Sequence, residues 1–189
     1  MISFRAMTPE DFERFWPTFQ AVASAQETYA YDPAVTQEQA SLLWMDLPLQ
    51  TFVAEADGEL LGSYYIKANA AGPGSHVCNC GYMVTEAARG RGVAKAMCEH
   101  SQRVAREAGF LAMQFNSVVV TNEVAVALWG KLGFETVGRL PKAYRHATQG
   151  LVDCLVMYKW LAEVPEPAQP KLIGRKNIES VVSRPRRGR

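Results

Sequence analysis

Residues 83–94 read MVTEAARGRGVA, and this stretch decides the fold prediction because it joins three local signals. MVT is apolar like the end of a strand, Gly90 and Gly92 predict a tight turn, and the apolar spacing that follows predicts a helix. The first amides of a helix lack intrahelical partners and carry partial positive charge. The stretch therefore predicts an anion site, in which backbone amides and the side chains of Arg89 or Arg91 hold a phosphate or diphosphate.

Two other interpretations of the turn remain open. The glycines can simply shape the start of a helix, or the Arg-Gly pairs can belong to a nucleic-acid-binding segment. The turn lacks the Lys-Ser/Thr ending of a nucleoside-triphosphate loop, and its glycine spacing departs from the GxGxxG dinucleotide fingerprint. Kinase, ATPase and dinucleotide-binding functions are therefore not predicted.

Hydrophobic periodicity along the rest of the chain predicts a mixed α/β domain with the order β-α-α-β-β-β-α-β-α-β-β. The predicted strands are residues 2–6, 51–56, 59–68, 76–85, 111–120, 135–140 and 151–161, and the predicted helices begin at Thr8, Thr36, Gly90 and Asn122. Pro17 predicts a kink or break in the first helix. The second helix is expected to bury a stripe formed by Ala40, Leu43, Trp44 and Leu47. Asp57-Gly58 predicts a two-residue hairpin, whereas the last two strands are expected to be joined by a ten-residue loop.

Composition limits the class of protein. With 189 residues, 48% hydrophobic and 21% charged, the chain is typical of one domain (1–162) followed by an extension (163–189). The net charge of +1 favours neither a nucleic-acid nor a membrane partner, although the extension alone carries seven basic and three acidic residues. A disordered or partner-packed extension is the favoured interpretation, and contact with RNA or anionic surfaces is the alternative. The chain shows no secretory signal or membrane-length apolar run, and its four cysteines resemble reduced core residues, so we expect a cytoplasmic protein.

Two motifs give the chain a family resemblance. Arg89, Gly92 and Ala94 match the signature of the GNAT acetyltransferase superfamily: Arg or Gln, two residues, Gly, one residue, then Gly or Ala. NEVAVALWGKLGF (122–134) is similar to the following helix of that family, which starts with Asn and ends in Leu-Gly-Phe. The resemblance covers most of the predicted domain and implies the α/β (α+β) GNAT fold. That fold has a mixed central sheet of six to seven strands, about four flanking helices and a V-shaped splay between the fourth and fifth strands.

The resemblance also implies that acetyl-CoA is the co-substrate, and no metal is expected. The pantetheine arm is expected to lie in the splay, and the diphosphate to lie at the glycine turn. An amide-bearing arm suits an exposed strand edge, which can bond it as a further strand. The implied cofactor-binding residues are Met83, Val84, Arg89, Gly90, Arg91, Gly92, Val93, Ala94, Lys95 and Asn122.

A narrower resemblance concerns the amine substrate. YIKANAAGPGSHVCNCGYMV (65–84) and FNSVVVTN (115–122) are similar to the yeast-type L-azetidine-2-carboxylate (proline-analogue) acetyltransferases, a branch of GNAT enzymes. That branch holds its substrate with one Asn in each of two strands, and Asn79 and Asn116 occupy the matching places. The resemblance thus implies catalytic and substrate-binding roles for both. A carboxamide offers a donor and an acceptor, so the alternative is that each Asn satisfies neighbouring backbone groups at a bulge.

Proton transfer is assigned less fully. The expected mechanism is direct attack of a neutral amine on the thioester. Glu27 is a candidate base acting through water, or else a solvated surface residue. Tyr29 and Tyr31 are candidate walls of the substrate pocket, or half-buried loop aromatics. Trp129 stands where many GNAT enzymes have a Tyr that protonates the departing thiolate, so no general acid is assigned.

Other features are interpreted structurally. His76, Cys78 and Cys80 alternate on one strand face, but strand positions two apart lie about 6.6 Å from each other, which suits one metal ion poorly. His100 is expected to pack against the core. The functional alternatives are detoxification of an antibiotic or herbicide amine, and a regulatory acyl-CoA-binding module without turnover. The expected partner is a small-molecule amine, and the resemblance adds a homodimer through the late strands.

Overall fold

The computed structural model describes residues 1–162, and the predicted extension lies outside the described residues. Helices and strands follow the predicted order. Their bounds are β1 (Ser3–Ala6), α1 (Pro9–Ala25), α2 (Gln37–Ser41), β2 (Gln50–Ala56), β3 (Glu59–Ala68), β4 (Val77–Val84), α3 (Val93–Glu107), β5 (Ala112–Val119), α4 (Glu123–Lys131), β6 (Glu135–His146) and β7 (Gly150–Trp160).

A seven-stranded sheet has the order β1-β2-β3-β4-β5-β7-β6. All neighbouring strands are antiparallel except β4 and β5, which are parallel. These two strands pair only at Val77–Ala112 and Cys78–Met113 and then separate toward their carboxyl ends. The predicted mixed sheet, its four flanking helices and the splay between the fourth and fifth strands are confirmed.

Strand alternation divides the core between the two faces of the sheet. On one face, Val93 and Met97 of α3 and Trp129 of α4 pack with even-numbered residues of β3 and β4, including Tyr64 and Cys80. The other face is covered by α1 and α2. Its buried side chains are Phe12, Phe15, Phe19, Ala40, Trp44, Val53, Tyr65 and Met83. From Ser63 onward in β3, and along β4, odd-numbered residues therefore face the α1–α2 side, whereas Leu61 packs on the α3 side.

Helix α1 begins as predicted and continues through Pro17. Thr8 accepts a hydrogen bond from the Asp11 amide, and the Asp11 carboxylate accepts one from the Thr8 amide, which completes a capping box. The predicted break at Pro17 is wrong, because α1 extends to Ala25. Both Pro17 and Glu13, one turn earlier, lie on the exposed face. Pro17 has no N–H to donate to the Glu13 carbonyl, and because that carbonyl is on the exposed face, water can bond it instead.

The apolar stripe predicted for the second helix is partly wrong. After α2 the chain forms a π-helical turn over Leu42–Asp46, in which hydrogen bonds join residues five apart instead of four. The side chains that follow therefore point in different directions from those of a regular α-helix. Ala40 and Trp44 are fully buried, whereas Leu43 is 36% and Leu47 is 61% exposed.

The two hairpins differ in how far the sequence predicted them. Asp57 and Gly58 have φ angles of 52° and 80°, as the predicted two-residue turn requires. The predicted ten-residue loop between the last strands is wrong, because β6 extends to His146 and only residues 147–149 connect it to β7. An irregularity between Leu140 and Tyr144 accommodates Pro141. Because β6 is an edge strand, the missing proline N–H breaks no ladder.

Candidate active site

The glycine turn before α3 is open to solvent. Gly90 and Gly92 have φ angles of 74° and 78°, which glycine adopts without strain. A Cβ atom built at either position would find no heavy atom within 4 Å. Residues 89–92 are exposed, whereas the Val93 side chain is buried against the core and anchors the start of the helix. The turn therefore presents bare backbone to an incoming ligand.

Backbone amides of the turn divide into bonded and free groups. Arg89 N–H donates to the Glu86 carbonyl at 3.2 Å, and Arg91 N–H donates to the Ala88 carbonyl at 3.3 Å. The first amide that bonds back into α3 is that of Ala96, to the Gly92 carbonyl at 3.0 Å. Among residues 1–162, no protein acceptor lies within bonding range of the remaining amides of the turn: Gly90, Gly92, Val93, Ala94 and Lys95. These amides form a cluster of donors at the positive end of a 15-residue helix.

Cationic side chains surround this cluster. Arg91 lies 3.9 Å from Glu59, and Lys95 lies 3.3 Å from Glu99, with all four side chains at least half exposed. The Arg89 side chain is also exposed. Solvated ion pairs of this kind contribute about 0–1 kcal/mol, so these cations can turn to a stronger anionic partner at little cost.

The free edge of β4 is defined by its pairing with β3. Thr85 N–H donates to the Leu61 carbonyl at 2.9 Å, and Asn69 N–H donates to the Val77 carbonyl at 2.8 Å. Odd-numbered backbone groups of β4 therefore face β3, and even-numbered groups face the gap toward β5. Of the two residues predicted to bond a pantetheine arm, Met83 directs its backbone groups to β3, and Val84 directs its groups into the gap.

Asn79 lies one residue beyond Cys78, the last residue of β4 that pairs with β5. Asn79 is 7% exposed, and both the nitrogen and the oxygen of its carboxamide are hydrogen-bonded. Its Nδ2 donates to the Gln114 carbonyl at 2.9 Å, and its Oδ1 accepts from the Tyr65 hydroxyl at 2.9 Å. The carboxamide thus links β4 to β5 where their ladder stops, which agrees with the alternative that this side chain satisfies neighbouring backbone.

Asn116 lies on the same sheet face, in an irregularity of β5 where Asn116 and Ser117 have no partner in β7. Its side chain is exposed, and it accepts from Gln114 Nε2 at 2.8 Å and donates to Asn69 Oδ1 at 2.7 Å. Sequence reasoning missed Asn69 and Gln114. The sequence signal for Gln114 was its spacing of two residues from Asn116, which places both on one strand face. We call Asn69, Asn79, Gln114 and Asn116 the carboxamide face.

Tyr29 and Tyr31 border this face from the loop after α1. Their rings stack with centroids 5.5 Å apart and an angle of 6° between planes. The Tyr29 hydroxyl reaches the β4 backbone, accepting from Tyr82 N–H at 2.7 Å and donating to the Tyr82 carbonyl at 2.8 Å. Burial raises the pKa of Tyr31 to about 12 and that of Tyr29 well above 10, so both hydroxyls stay protonated. Glu27 is exposed in the same loop.

The opposite face of the gap is aromatic. Trp129 is 8% exposed, and its ring centroid lies 5.2 Å from those of Tyr82 and Phe115. It therefore forms an apolar wall where a tyrosine would offer a hydroxyl. Asn122 caps α4 by accepting from Ala125 N–H at 3.3 Å. The neighbouring Thr121 hydroxyl is, among residues 1–162, the one buried side-chain polar atom without a hydrogen-bond partner.

Other polar groups belong to the core. His100 Nδ1 lies 2.6 Å from the Tyr64 hydroxyl and its ring stacks on Phe4, and burial lowers its pKa, in agreement with the predicted packing role. All four cysteines are buried and free. In residues 1–162, no three His, Cys, Asp or Glu side chains are grouped as metal ligands. Over the same residues, every helix is too short or too polar to cross a bilayer.

Comparisons with known proteins agree with this geometry. The family model described as "Acetyltransferase (GNAT) family" matches residues 10–134. The N-acetyltransferase aca1 of Schizosaccharomyces pombe is 30% identical over 151 residues, which span 79% of this chain and 66% of that protein. The structure of a GCN5-related N-acetyltransferase from Kribbella flavida superimposes with a TM-score of 0.81 at 46% identity, covering 85% of this chain and 98% of that one. The structure of yncA from Salmonella typhimurium with its cofactor acetyl-CoA gives a TM-score of 0.73 at 18% identity, covering 89% and 99%.

Proposed function

The chain belongs to the GNAT N-acetyltransferase family, and on that premise we propose that it uses acetyl-CoA to acetylate the amine of a small molecule. The observation that carries the proposal is the cluster of five free amides at Gly90 and residues 92–95, together with the open space in front of them. Each contact of this kind contributes about 0.3–1 kcal/mol when exposed, so a diphosphate gains from bonding several together.

The residues of the gap fit the rest of the carrier. Val84 offers an N–H and a carbonyl on the free edge of β4, which suits the amides of a pantetheine arm. The Asn122 side chain lies at the N-terminus of α4, where it caps the helix. In this proposal Val84 and residues 89–95 contact the cofactor. Met83 supports the site through its buried side chain and its backbone pairing with β3.

We propose that the carboxamide face binds the acceptor, and that the acceptor is an amino acid or a cyclic proline analogue. Donors and acceptors alternate along Asn79, Gln114, Asn116 and Asn69, and the Lys67 side chain lies on the same sheet face. A zwitterion needs a cationic or amide donor for its carboxylate and a neutral acceptor for its amine, and this face offers both kinds. Asn116 is exposed and contacts the acceptor directly, whereas the buried Asn79 holds Gln114 and Tyr65 in place beneath it.

Bound acetyl-CoA supplies an activated acyl group, and the residues of the chain orient the amine toward it. Holding both reactants in one cleft contributes up to about 7–11 kcal/mol when the geometry is close to that of attack. Tyr29, Tyr31 and Trp129 line the approach with rings and keep water away from the acetyl group. Glu27 is exposed on the same loop, where it can relay the ammonium proton to solvent.

Calorimetry with acetyl-CoA and a thiol-release assay test the proposal together. The well-folded protein is expected to bind acetyl-CoA, and free thiol is expected to appear with proline analogues or amino acids as acceptors. Absence of acetyl-CoA binding would refute the proposal. Binding without turnover on any amine would favour a regulatory module, and turnover restricted to aminoglycosides or herbicide amines would favour detoxification.

A homodimer through the late strands is part of the proposal. β6 is an edge strand of the sheet, and it carries two exposed apolar residues, Val137 (59%) and Leu140 (42%). A twelve-residue edge strand offers unpaired backbone groups to a second copy, and Arg139, Lys142 and Arg145 on the same strand charge part of that edge. Light scattering of the full chain is expected to give twice the mass of one chain, and a monomer at micromolar concentration would exclude this assembly.

A further inference from the structure

The Tyr29 hydroxyl occupies the free edge of β4. At Tyr82, where a neighbouring strand would bond the N–H and the carbonyl, both groups bond the one phenol oxygen, at 2.7 and 2.8 Å. Tyr82 lies two residues before Val84 in β4, so its backbone N–H and carbonyl face the same gap as those of Val84. A side chain 53 residues away in sequence thus completes the strand edge in the middle of the site.

Tyr29 is held firmly in this position. Its ring stacks on Tyr31 and meets the Trp44 ring edge-on at 6.2 Å, and its own carbonyl accepts from the Tyr144 hydroxyl at 3.0 Å. Gly81 makes room for the Tyr65 ring and for Tyr29, because a Cβ there would lie 2.5 Å from Tyr65 Cε1 and 3.2 Å from the Tyr29 hydroxyl oxygen. A side chain fixed by packing on several sides stays in place when a ligand enters, whereas its hydroxyl hydrogen can turn freely.

The order of groups along the edge decides what reaches the hydroxyl. The glycine turn lies nearest to Val84, and Tyr82 lies two residues, or about 6.6 Å, further into the gap. In acetyl-CoA the thioester is at the end of the arm farthest from the diphosphate. Resting on the proposed function, we propose that the Tyr29 hydroxyl is a catalytic residue that donates a hydrogen bond to the thioester carbonyl oxygen.

The donor is prepared by the backbone. When the hydroxyl hydrogen turns from the Tyr82 carbonyl to the thioester, the phenol oxygen continues to accept from Tyr82 N–H, and this bond polarises the hydroxyl. During transfer the amine lone pair forms the N–C bond, and the carbonyl π electrons move to oxygen and return. The C–S bond then breaks with its electron pair on sulfur, and the proton lost by nitrogen passes through solvent to the thiolate. Tyr29 stabilises the oxygen while it carries negative charge.

Tyr29→Phe tests this role because it removes only the hydroxyl. Loss of one preorganised donor to a developing oxyanion lowers kcat by about 10²–10³-fold. We expect that decrease with little change in the Kd of acetyl-CoA. A second measurement, independent of turnover, is the infrared stretching frequency of the ¹³C-labelled thioester carbonyl in bound acetyl-CoA. This frequency is expected to be higher on the variant than on the wild-type protein, because one hydrogen bond to the carbonyl is lost.

Tyr64→Phe is the matched control, since it removes another buried tyrosine hydroxyl, bonded to His100 on the opposite sheet face. It is expected to retain the wild-type kcat and carbonyl frequency. An unchanged kcat or carbonyl frequency in Tyr29→Phe would overturn the proposal. Tighter acetyl-CoA binding by that variant would also overturn it, because the hydroxyl would then merely obstruct the edge.

A second substitution covers the case in which Tyr29→Phe does not fold. 3-Fluorotyrosine at position 29 keeps the ring and hydroxyl and makes the hydroxyl a stronger donor, so the bound carbonyl stretch is expected to move to lower frequency. No movement would count against Tyr29. Failure of the wild-type protein to bind acetyl-CoA would instead remove the proposed function, and that result is separate from either variant.

Discussion

The Asn79 side-chain amide donates to the Gln114 carbonyl over 2.9 Å at the residue pair where β4 and β5 stop pairing. One carboxamide thereby replaces a ladder bond at the apex of the splay. It holds the two strands together below the gap and leaves their edges free above it. The same side chain accepts from Tyr65, so the apex is also tied to β3.

Asn79→Ala should destabilise the protein more than Asn116→Ala. The first change leaves the Tyr65 hydroxyl and the Gln114 carbonyl without partners in a buried place, which costs about 1–3 kcal/mol. The second removes an exposed side chain whose partners can bond water, and its cost is expected within about 0.5 kcal/mol. Urea denaturation of both variants measures the difference, and equal losses would contradict a structural role for Asn79.

Asn116→Ala should lower turnover far more than affinity for acetyl-CoA. Asn116 bonds Gln114 and Asn69 on the carboxamide face, away from the glycine turn, so its loss disturbs the acceptor and not the diphosphate. Misplacing a reactant by about 1 Å can cost about 10²-fold in rate. Steady-state kinetics and calorimetry on one preparation separate the two effects. An equal loss in both quantities would contradict a substrate role.

Local signals in the sequence predicted most of the fold. The Asp57-Gly58 turn, the Thr8 cap and the glycines before α3 act through their own backbone conformation, so their outcome needs no knowledge of distant residues. Predictions were wrong where tertiary structure can override the local signal. Pro17 was expected to break α1, and the sixth strand was expected to cover only residues 135–140, but α1 continues through Pro17 and β6 through Pro141, because both prolines lie where a missing N–H is tolerated.

The candidate site divides in the same way. The glycine turn was predictable because its chemistry lies within seven consecutive residues, 89–95. The contact of Tyr29 with the Tyr82 backbone depends on the path of the loop after α1 and on the space left by Gly81, and no local pattern encodes it. Asn69 was missed for a similar reason, because its partner Asn116 is 47 residues away.

Gly92→Ala should weaken acetyl-CoA binding by about tenfold. At a φ of 78°, alanine costs about 1–2 kcal/mol, and its methyl group projects into the open space in front of the free amides. Gly109→Ala is the matched control, since Gly109 ends α3 with a φ of 86° and also has open space at its Cβ position. Both variants are expected to lose similar stability. Only the first should raise the Kd in calorimetry, and a similar increase in both would argue against diphosphate binding at the turn.

Stability should fall in acid because of Asp11, whose side chain is 5% exposed. Hydrogen bonds from Arg5, and then from the Thr8 backbone and hydroxyl, hold the pKa of the carboxyl well below its usual range. A carboxyl whose pKa is lowered by folding contributes fully above its unfolded value, about 3.9, and loses that contribution as the pH falls toward the folded value. Asp11→Asn should therefore unfold more easily at pH 7, by about 1–3 kcal/mol, and show a flatter decline below pH 4.

Two arginine variants identify the partner that matters. Arg5 makes a bidentate pair with Asp11, whereas Arg14 lies 3.8 Å from the same carboxylate on the exposed side of α1. Arg5→Met is expected to reproduce most of the acid behaviour of Asp11→Asn, and Arg14→Met to change the free energy of unfolding by less than about 0.5 kcal/mol. Because Arg5 is in β1 and Asp11 is in α1, the pair also links helix to sheet. If the two arginine variants had equal stability from pH 7 to pH 2, capping by Thr8 alone would account for the low pKa.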